Sequence, residues 1–304
     1  MNVRLFLASC LLLFSSQLLA QGGSETKAVG DTTKTEAKEK IWSVGGKTSL
    51  TMSQTSYSNW ASGGQNSISG VLAGTFWLKQ TKKKHSWEST LDLAYGTLYQ
   101  YEDSDRRKTD DKIDYSTKLG YTASKSWNYT VLLQFKTQFD RGYKSYPVED
   151  RQTYTSEFMS PAYLTFSVGM DYKPNKDLSV YISPLSLRNT IVLDDTLSNK
   201  GAFGVTPGSH ILSEYGAMVK ATYHKTFFEK VQLKSKVELF SNLEHNPQNV
   251  NVNVEVDIGI KTTSWLTTRL YTQLLYDDNI KVSDDEGPAL QVKEVLGVGL
   301  SYSF

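Results

Sequence analysis

Cysteine is nearly absent: the 304 residues hold one, Cys10. It lies in a leading apolar run, and the rest of the chain has no thiol for a disulfide, a nucleophile or a metal. Histidine is scarce, with four, and no P-loop, G-x-S-x-G or H-E-x-x-H motif is present. A dominant charge is missing too. The formal net charge is +1 with 21% charged residues, which gives no basis for a nucleic-acid partner. Beyond residue 20 no segment approaches the roughly 20 apolar residues that a membrane helix needs. Proline is held to seven, against 18 Tyr, 12 Phe and 6 Trp.

The leading run has the parts of a secretory signal peptide. Arg4 charges its start, residues 5–19 are apolar, and Leu18-Leu19-Ala20 forms a small-residue cleavage site. Leu7-Ala8-Ser9-Cys10 has the look of a lipobox, but the apolar run continues past Cys10. The signal peptide is therefore placed at 1–20. Residues 21–40 are small, polar and mixed in charge, and are expected to form a disordered periplasmic linker.

What fills 41–304 is alternation. At 250–261, Val250, Val252, Val254, Val256, Ile258 and Ile260 face one way, and Asn251, Asn253, Glu255, Asp257 and Lys261 the other. Period two means a β-strand with one face in an apolar medium. Twelve such runs are expected, near 42–52, 67–80, 87–101, 113–123, 129–140, 162–172, 177–187, 214–224, 231–242, 250–261, 265–277 and 291–304. Several reach the roughly 9–11 residues that cross a bilayer at a barrel's tilt. Short connectors alternate with longer ones, as in outer-membrane barrels with periplasmic turns and outer loops. The fold class is all-β: a transmembrane antiparallel up-and-down β-barrel of twelve strands. Mean hydropathy of −0.40 is compatible, because a barrel's lumen and loops are polar. Trp42, Trp87, Trp127 and Trp265 open strands on the short-turn side, with Phe227-Phe228 before the ninth, as an interfacial girdle requires.

The last run reads L-G-V-G-L-S-Y-S-F from Leu296. Leu296, Val298, Leu300, Tyr302 and Phe304 face outward, and the small residues Gly297, Gly299, Ser301 and Ser303 leave space at the seam with the first strand. Tyr302 and Phe304 resemble the terminal aromatic signal read by outer-membrane insertion machinery. The same even/odd register turns Lys47, Glu88, Asp92, Asp114, Lys118, Lys136, Asp171, Glu214, Lys220, Lys234, Lys236, Glu238, Glu255, Asp257, Lys261 and Arg269 toward the lumen. Both signs are balanced. Long side chains of opposite sign either close a narrow lumen with salt bridges or line a polar channel, and no one-sign ring argues for ion selectivity.

The loops hold acidic clusters at Asp194-Asp195, Asp277-Asp278 and Asp284-Asp285-Glu286, none with the spacing of a calcium loop. Solvated charge is the expectation, with no metal and no cofactor. D-S-D-R-R-K-T-D-D at 103–111 is expected to pair with itself at a loop tip. Pro184 is expected to mark a bulge near the outer rim. Trp60, before Gly63-Gly64, and Phe203, within 201–208, are expected to anchor two inward-folding loops that plug the mouth. Ser209-His210 and Glu244-His245 are adjacent pairs on loops, and neighbours on an extended chain point apart, so no catalytic dyad is expected.

Residues 42–66 (W-S-V-G-G-K-T-S-L-T-M-S-Q-T-S-Y-S-N-W-A-S-G-G-Q-N), Ile182-Ser183-Pro184-Leu185, Gly201-Ala202-Phe203-Gly204-Val205, Pro207-Gly208 and K-T-D-D at 108–111 carry a resemblance. They resemble an uncharacterised outer-membrane barrel family of Bacteroidota, a domain of unknown function, across 41–304. The resemblance implies the bacterial outer membrane and no activity, ligand or catalytic residue. The function expected is a structural barrel or a porin-like passage for small polar solutes. Its alternatives are a closed scaffold subunit of an outer-membrane complex and, third, a surface lipid hydrolase. The partners expected are outer-membrane lipid and the insertion machinery.

Overall fold

Alternation carries through to the three-dimensional structure. A computed structural model describes residues 41–56, 66–101, 105–144, 148, 150, 152–263, 265–280 and 287–303. The signal peptide, the linker, Trp60 and Phe304 lie outside the described residues. Twelve strands run β1 (Trp42–Thr55), β2 (Ser67–Lys82), β3 (His85–Gln100), β4 (Asp105–Thr122), β5 (Trp127–Thr137), β6 (Ala162–Tyr172), β7 (Leu178–Ile191), β8 (Ile211–Phe227), β9 (Val231–Asn242), β10 (Val250–Lys261), β11 (Leu266–Tyr276) and β12 (Gln291–Ser303). Each pairs antiparallel with its neighbours in sequence, and β12 returns to β1 to close the barrel. That seam is registered over Lys47↔Ser303 to Met52↔Val298. The space over Gly297 is taken by the Thr51 side chain, so the seam is filled rather than open.

The distribution of polarity is inverted relative to a water-soluble domain. Leu296, Leu185 and Val44 are 71%, 64% and 61% exposed on the outside, whereas Asp114 and Lys236 are 3% and 8% exposed within. An apolar exterior with no open sheet edge is the solution a strand protein has in hydrocarbon, where each backbone group must find a partner in the barrel. One group of aromatic residues lies at the short-turn end, where Trp42 meets Trp87 edge-on at 6.0 Å, Trp127 meets Tyr172 at 4.8 Å and Phe228 is exposed, and another at the long-loop end, where Tyr99 meets Tyr101 at 5.4 Å.

Two expectations are corrected. The described part of the charged run, 105–111, is strand rather than loop tip, since Asp105–Thr122 is one strand of 18 residues, although Lys108 and Asp111 pair within the run as expected. Asp111 holds it in place, accepting from Lys108 Nζ at 2.9 Å and from the Phe139 and Asp140 N–H groups at 2.6 and 3.0 Å. Pro184, in turn, sits in the middle of β7, not near the outer rim.

There the register shifts on both sides of β7, between Val168 and Met170 on β6 and between Ser183 and Ser186 against β8. Two residues of β7 thus face one residue of each neighbour, a β-bulge on both flanks. Pro184 has no N–H to give the ladder. The buried Ser183 hydroxyl replaces it, lying 2.8 Å from both the Val168 and the Leu185 carbonyl oxygens, and Ser186 donates to Ser183 at 3.0 Å. Ser183→Ala leaves this carbonyl set without its donor and is expected to lower stability by about 1–3 kcal/mol. Urea unfolding in detergent micelles checks it, and an unchanged midpoint contradicts it.

Candidate functional site

The lumen is the candidate site, and it is built of facing ion pairs. Inward residues of β3, β4, β9 and β10 meet across it. In the ring of twelve, β4 lies opposite β10 and β3 opposite β9. Lys112 of β4 nonetheless reaches Glu255 of β10 at 2.7 Å, and Lys234 of β9 reaches Asp92 of β3 at 3.3 Å. These two bonds span the full width of the barrel.

Between them lies a denser group. Lys236 Nζ is 2.6 Å from Asp114, 3.3 Å from Glu238 and 3.9 Å from Glu255. Glu238 also takes Lys220 at 3.0 Å and pairs closely with Lys136. The Gln134 amide donates to both Asp114 and Glu238, at 3.0 and 3.1 Å. Charges so far from water are tolerable because each carboxylate is shared by several donors.

Two further groups flank it. Toward the short turns, Asp171 accepts from Lys118 at 2.9 Å and Ser179 at 2.6 Å, and Lys173 ties it to Glu88. Arg269 grips Asp257 with two bonds of 2.9 Å, and Lys47 donates to the neutral Gln232 at 2.9 Å. Toward the long loops, Arg188 bridges Glu214 at 2.6 Å and Asp277 at 3.4 Å. Burial pushes the Asp277 carboxyl up, and Arg188 only partly opposes it.

The two halves of the lumen differ. On the side of β5, β7, β8 and β9 the inward side chains Leu132, Tyr181, Met218 and Phe240 form a buried apolar cluster, with Arg188 stacked 4.4 Å over Phe240. The other half keeps a cavity of about 100 Å³, walled by apolar residues such as Val71 and Leu93 and by the charged Asp92, Lys112, Glu255 and Arg269.

Above the long-loop end, the β7–β8 connection folds on itself. Its helix α1 (Asp195–Asn199) is capped by Asp194, which accepts from the Leu197 N–H at 2.9 Å and from the Tyr154 hydroxyl at 2.7 Å. Partial burial opposes ionisation there, but these hydrogen bonds outweigh it and hold Asp194 below the usual carboxylate range. Phe203 anchors this loop against Val192, Leu197 and Val205. The loop's Gly204 abuts Asn279, which donates to Glu214 at 3.2 Å, so the loop rests on the Arg188 group at the mouth. Of the other acidic loop residues, Asp278 accepts from Asn249 at 2.9 Å and Asp277 belongs to the lumen, while Asp284, Asp285 and Glu286 lie outside the described residues.

The histidines do not assemble a hydrolytic site. His210 Nδ1 faces the Val192 carbonyl at 2.7 Å and Nε2 faces the exposed Asp195 at 3.4 Å, while the Ser209 hydroxyl donates away, to Ile211 O. His85 meets Tyr121 edge-on at 5.2 Å, and His245 offers its backbone N–H to Asn242.

Sequence reasoning missed Lys112, Gln134, Arg188, Tyr271 and Asp277. Lys112 preceded the expected start of its strand. Arg188 was hidden by the bulge: before Pro184 the odd residues of β7 face inward, and after it the even ones do. A proline inside an alternating run was the available signal for that change of face.

Residues 52–143 match the family model described as a protein of unknown function (DUF3078), from the end of β1 to just past β5. That is narrower than the resemblance across 41–304. No curated protein matches the chain. Among solved structures, the chain is similar to an outer-membrane channel from Pseudomonas putida F1, at 12% identity over 86% of this chain and 95% of that one, with a TM-score of 0.37. It is similar to the translocator domain of the autotransporter NalP from Neisseria meningitidis, at 11% identity over 99% and 96%, with a TM-score of 0.32. It is also similar to the NanC porin, at 11% identity over 86% and 98%, with a TM-score of 0.34. Closed, apolar outside and ionic within, the chain has the build of a membrane-spanning β-barrel.

Proposed function

We propose that this barrel is shut at rest and passes small polar solutes when the ion pairs across its lumen part. The observation that carries this reading is the pair of diametric bridges, Lys112–Glu255 and Lys234–Asp92, beside a cavity of about 100 Å³. A wide pore keeps its opposite walls apart, whereas here they are bonded. In the central constriction the two signs alternate, so selection there is by size and polarity rather than by charge.

Planar-bilayer recording tests it. Wild type is expected to give no steady conductance. Lys112→Ala combined with Glu255→Ala removes one bridge without stranding a charge and is expected to open measurable steps. A large steady wild-type conductance would refute closure. A double variant that stays silent would refute passage and leave the second reading, a closed scaffold subunit of an outer-membrane complex. The buried apolar cluster of Leu132, Tyr181, Met218 and Phe240 on the inward faces of β5, β7, β8 and β9 favours that alternative.

The reading assigns no catalytic role. It places the barrel in a Bacteroidota outer membrane, with lipid against the outward rows and the insertion machinery reading Tyr302 and Phe304 during assembly.

A further inference from the structure

The lumen's charges are not shared evenly between its two ends. At the short-turn end, on the side of β1, β2 and β8–β11, the carboxylates are already spent: Asp257 is held by Arg269, and Asp92 by Lys234 and Thr75. Lys47 has only the neutral Gln232 as its partner, and Lys79 and Lys261 form no ion pair among the described residues. All three occupy inward positions, through the register Lys47↔Thr75 on β2 and Asp257↔Lys234 on β10. Lys47 lies within electrostatic range of Asp257 as well as of Arg269, Lys261 and Lys234, and His224 within range of Asp177 as well as of Lys234, Lys47 and Lys79.

Like charges gathered in a narrow, partly desolvated space repel one another and call for a counter-ion. The nearest carboxylates are bonded elsewhere: Asp257, which acts on Lys47, to Arg269, and Glu88, which faces Lys79 in the β2–β3 register, to Lys173. Solvent does reach them: Lys79 and His224 are exposed, and the Lys234 side chain is 44% exposed. Behind them lies the cavity of about 100 Å³, of which Lys234 and Arg269 form part of the wall.

We propose that Lys47, Lys79, Lys234 and Lys261 form a binding site for a small oxyanion of the phosphate type, entered from the short-turn end. Several ammonium groups around one tetrahedral anion supply charge-assisted hydrogen bonds that a monatomic halide cannot use as fully. The site stands apart from the question of passage. Conductance reports crossing, and titration reports binding, so either can fail without the other.

The test is calorimetric titration of the full-length barrel with inorganic phosphate at low ionic strength, in a maltoside micelle free of lipid phosphate. Saturable binding near one phosphate per barrel is expected. Lys47→Gln with Lys261→Gln is expected to weaken it by about tenfold or more, as is Lys79→Gln alone in the same direction. Lys225→Gln, whose parent lies outside against Phe227, is expected to leave it unchanged. Heat-modifiable gel migration shows which variants remain folded. No saturable heat with wild type overturns the proposal whatever the variants do. So does binding that survives in a folded Lys79→Gln or double variant, or chloride displacing phosphate at equal concentration, which is simple screening.

Discussion

Lys236→Met is expected to cost about 3–5 kcal/mol of barrel stability, because it strands charges that water cannot reach. Methionine nearly conserves the volume and the unbranched shape of the lysine stem, so little of the loss comes from packing. What disappears is the one ammonium shared by Asp114, Glu238 and Glu255. Glu238 retains Lys136 and Lys220, and Glu255 retains Lys112 and Tyr271. Asp114 keeps one hydrogen bond, from the Gln134 amide at 3.0 Å, with Lys136 and Lys220 acting on it only at longer range, so the penalty concentrates there. Combining Lys236→Met with Asp114→Leu should therefore be less harmful than Lys236→Met alone, since it removes the stranded carboxylate with its partner. Urea unfolding in micelles measures the cycle. A single variant within about 1 kcal/mol of wild type would mean that water or a neighbouring cation replaces Lys236, and that the network is not what fixes the lumen.

The strands whose alternation is unbroken were the legible ones. Runs expected at 162–172, 231–242 and 250–261 are β6, β9 and β10 to the residue. Their outward Val, Leu and Ile and inward charges share no positions, so period two has no competitor. The signal failed where both faces are polar. Asp105-Arg106-Arg107-Lys108 shows no apolar beat, yet it is strand, and its cations find acids within reach: Arg106 pairs with Asp140 beyond β5, and Lys108 with Asp111 of the same strand. Pro184 announced a bulge but not its depth in the barrel. The partners across the lumen were not legible at all. Parity says that Lys234 and Asp92 point inward, but their meeting depends on which strands stand opposite in a closed ring and on how far each is tilted and staggered. No local spacing encodes that. Tyr302 lies outward on β12 in register with Thr48.

The bulge at Pro184 sets the second large effect. Gly169 and Gly216 stand on either side of it, one on β6 and one on β8, at the points where the register shifts. A methyl group on Gly169 would overlap the Ile182 carbonyl oxygen and come within 2.8 Å of Ser183 Cα. On Gly216 it would overlap the Ser241 carbonyl oxygen and come within 2.8 Å of the Phe240 ring. The crowding atoms are mostly backbone, which cannot rotate away as a side-chain tip does. Relief requires moving a strand and breaking ladder bonds that have no water to replace them. Gly169→Val is thus expected to exceed the usual overpacking cost of about 1–3 kcal/mol and to prevent closure. Gly169→Ala and Gly216→Ala should each lower the unfolding midpoint, and Gly70→Ala, where the nearest atom would be 3.9 Å away, should not. Gel migration of unheated samples separates the outcomes, since a closed barrel runs apart from its boiled form. Gly169→Val folding at wild-type yield would show that β7 can shed its extra residue. The ladder would then pair through without the shift, and Arg188 would turn from the lumen to the lipid.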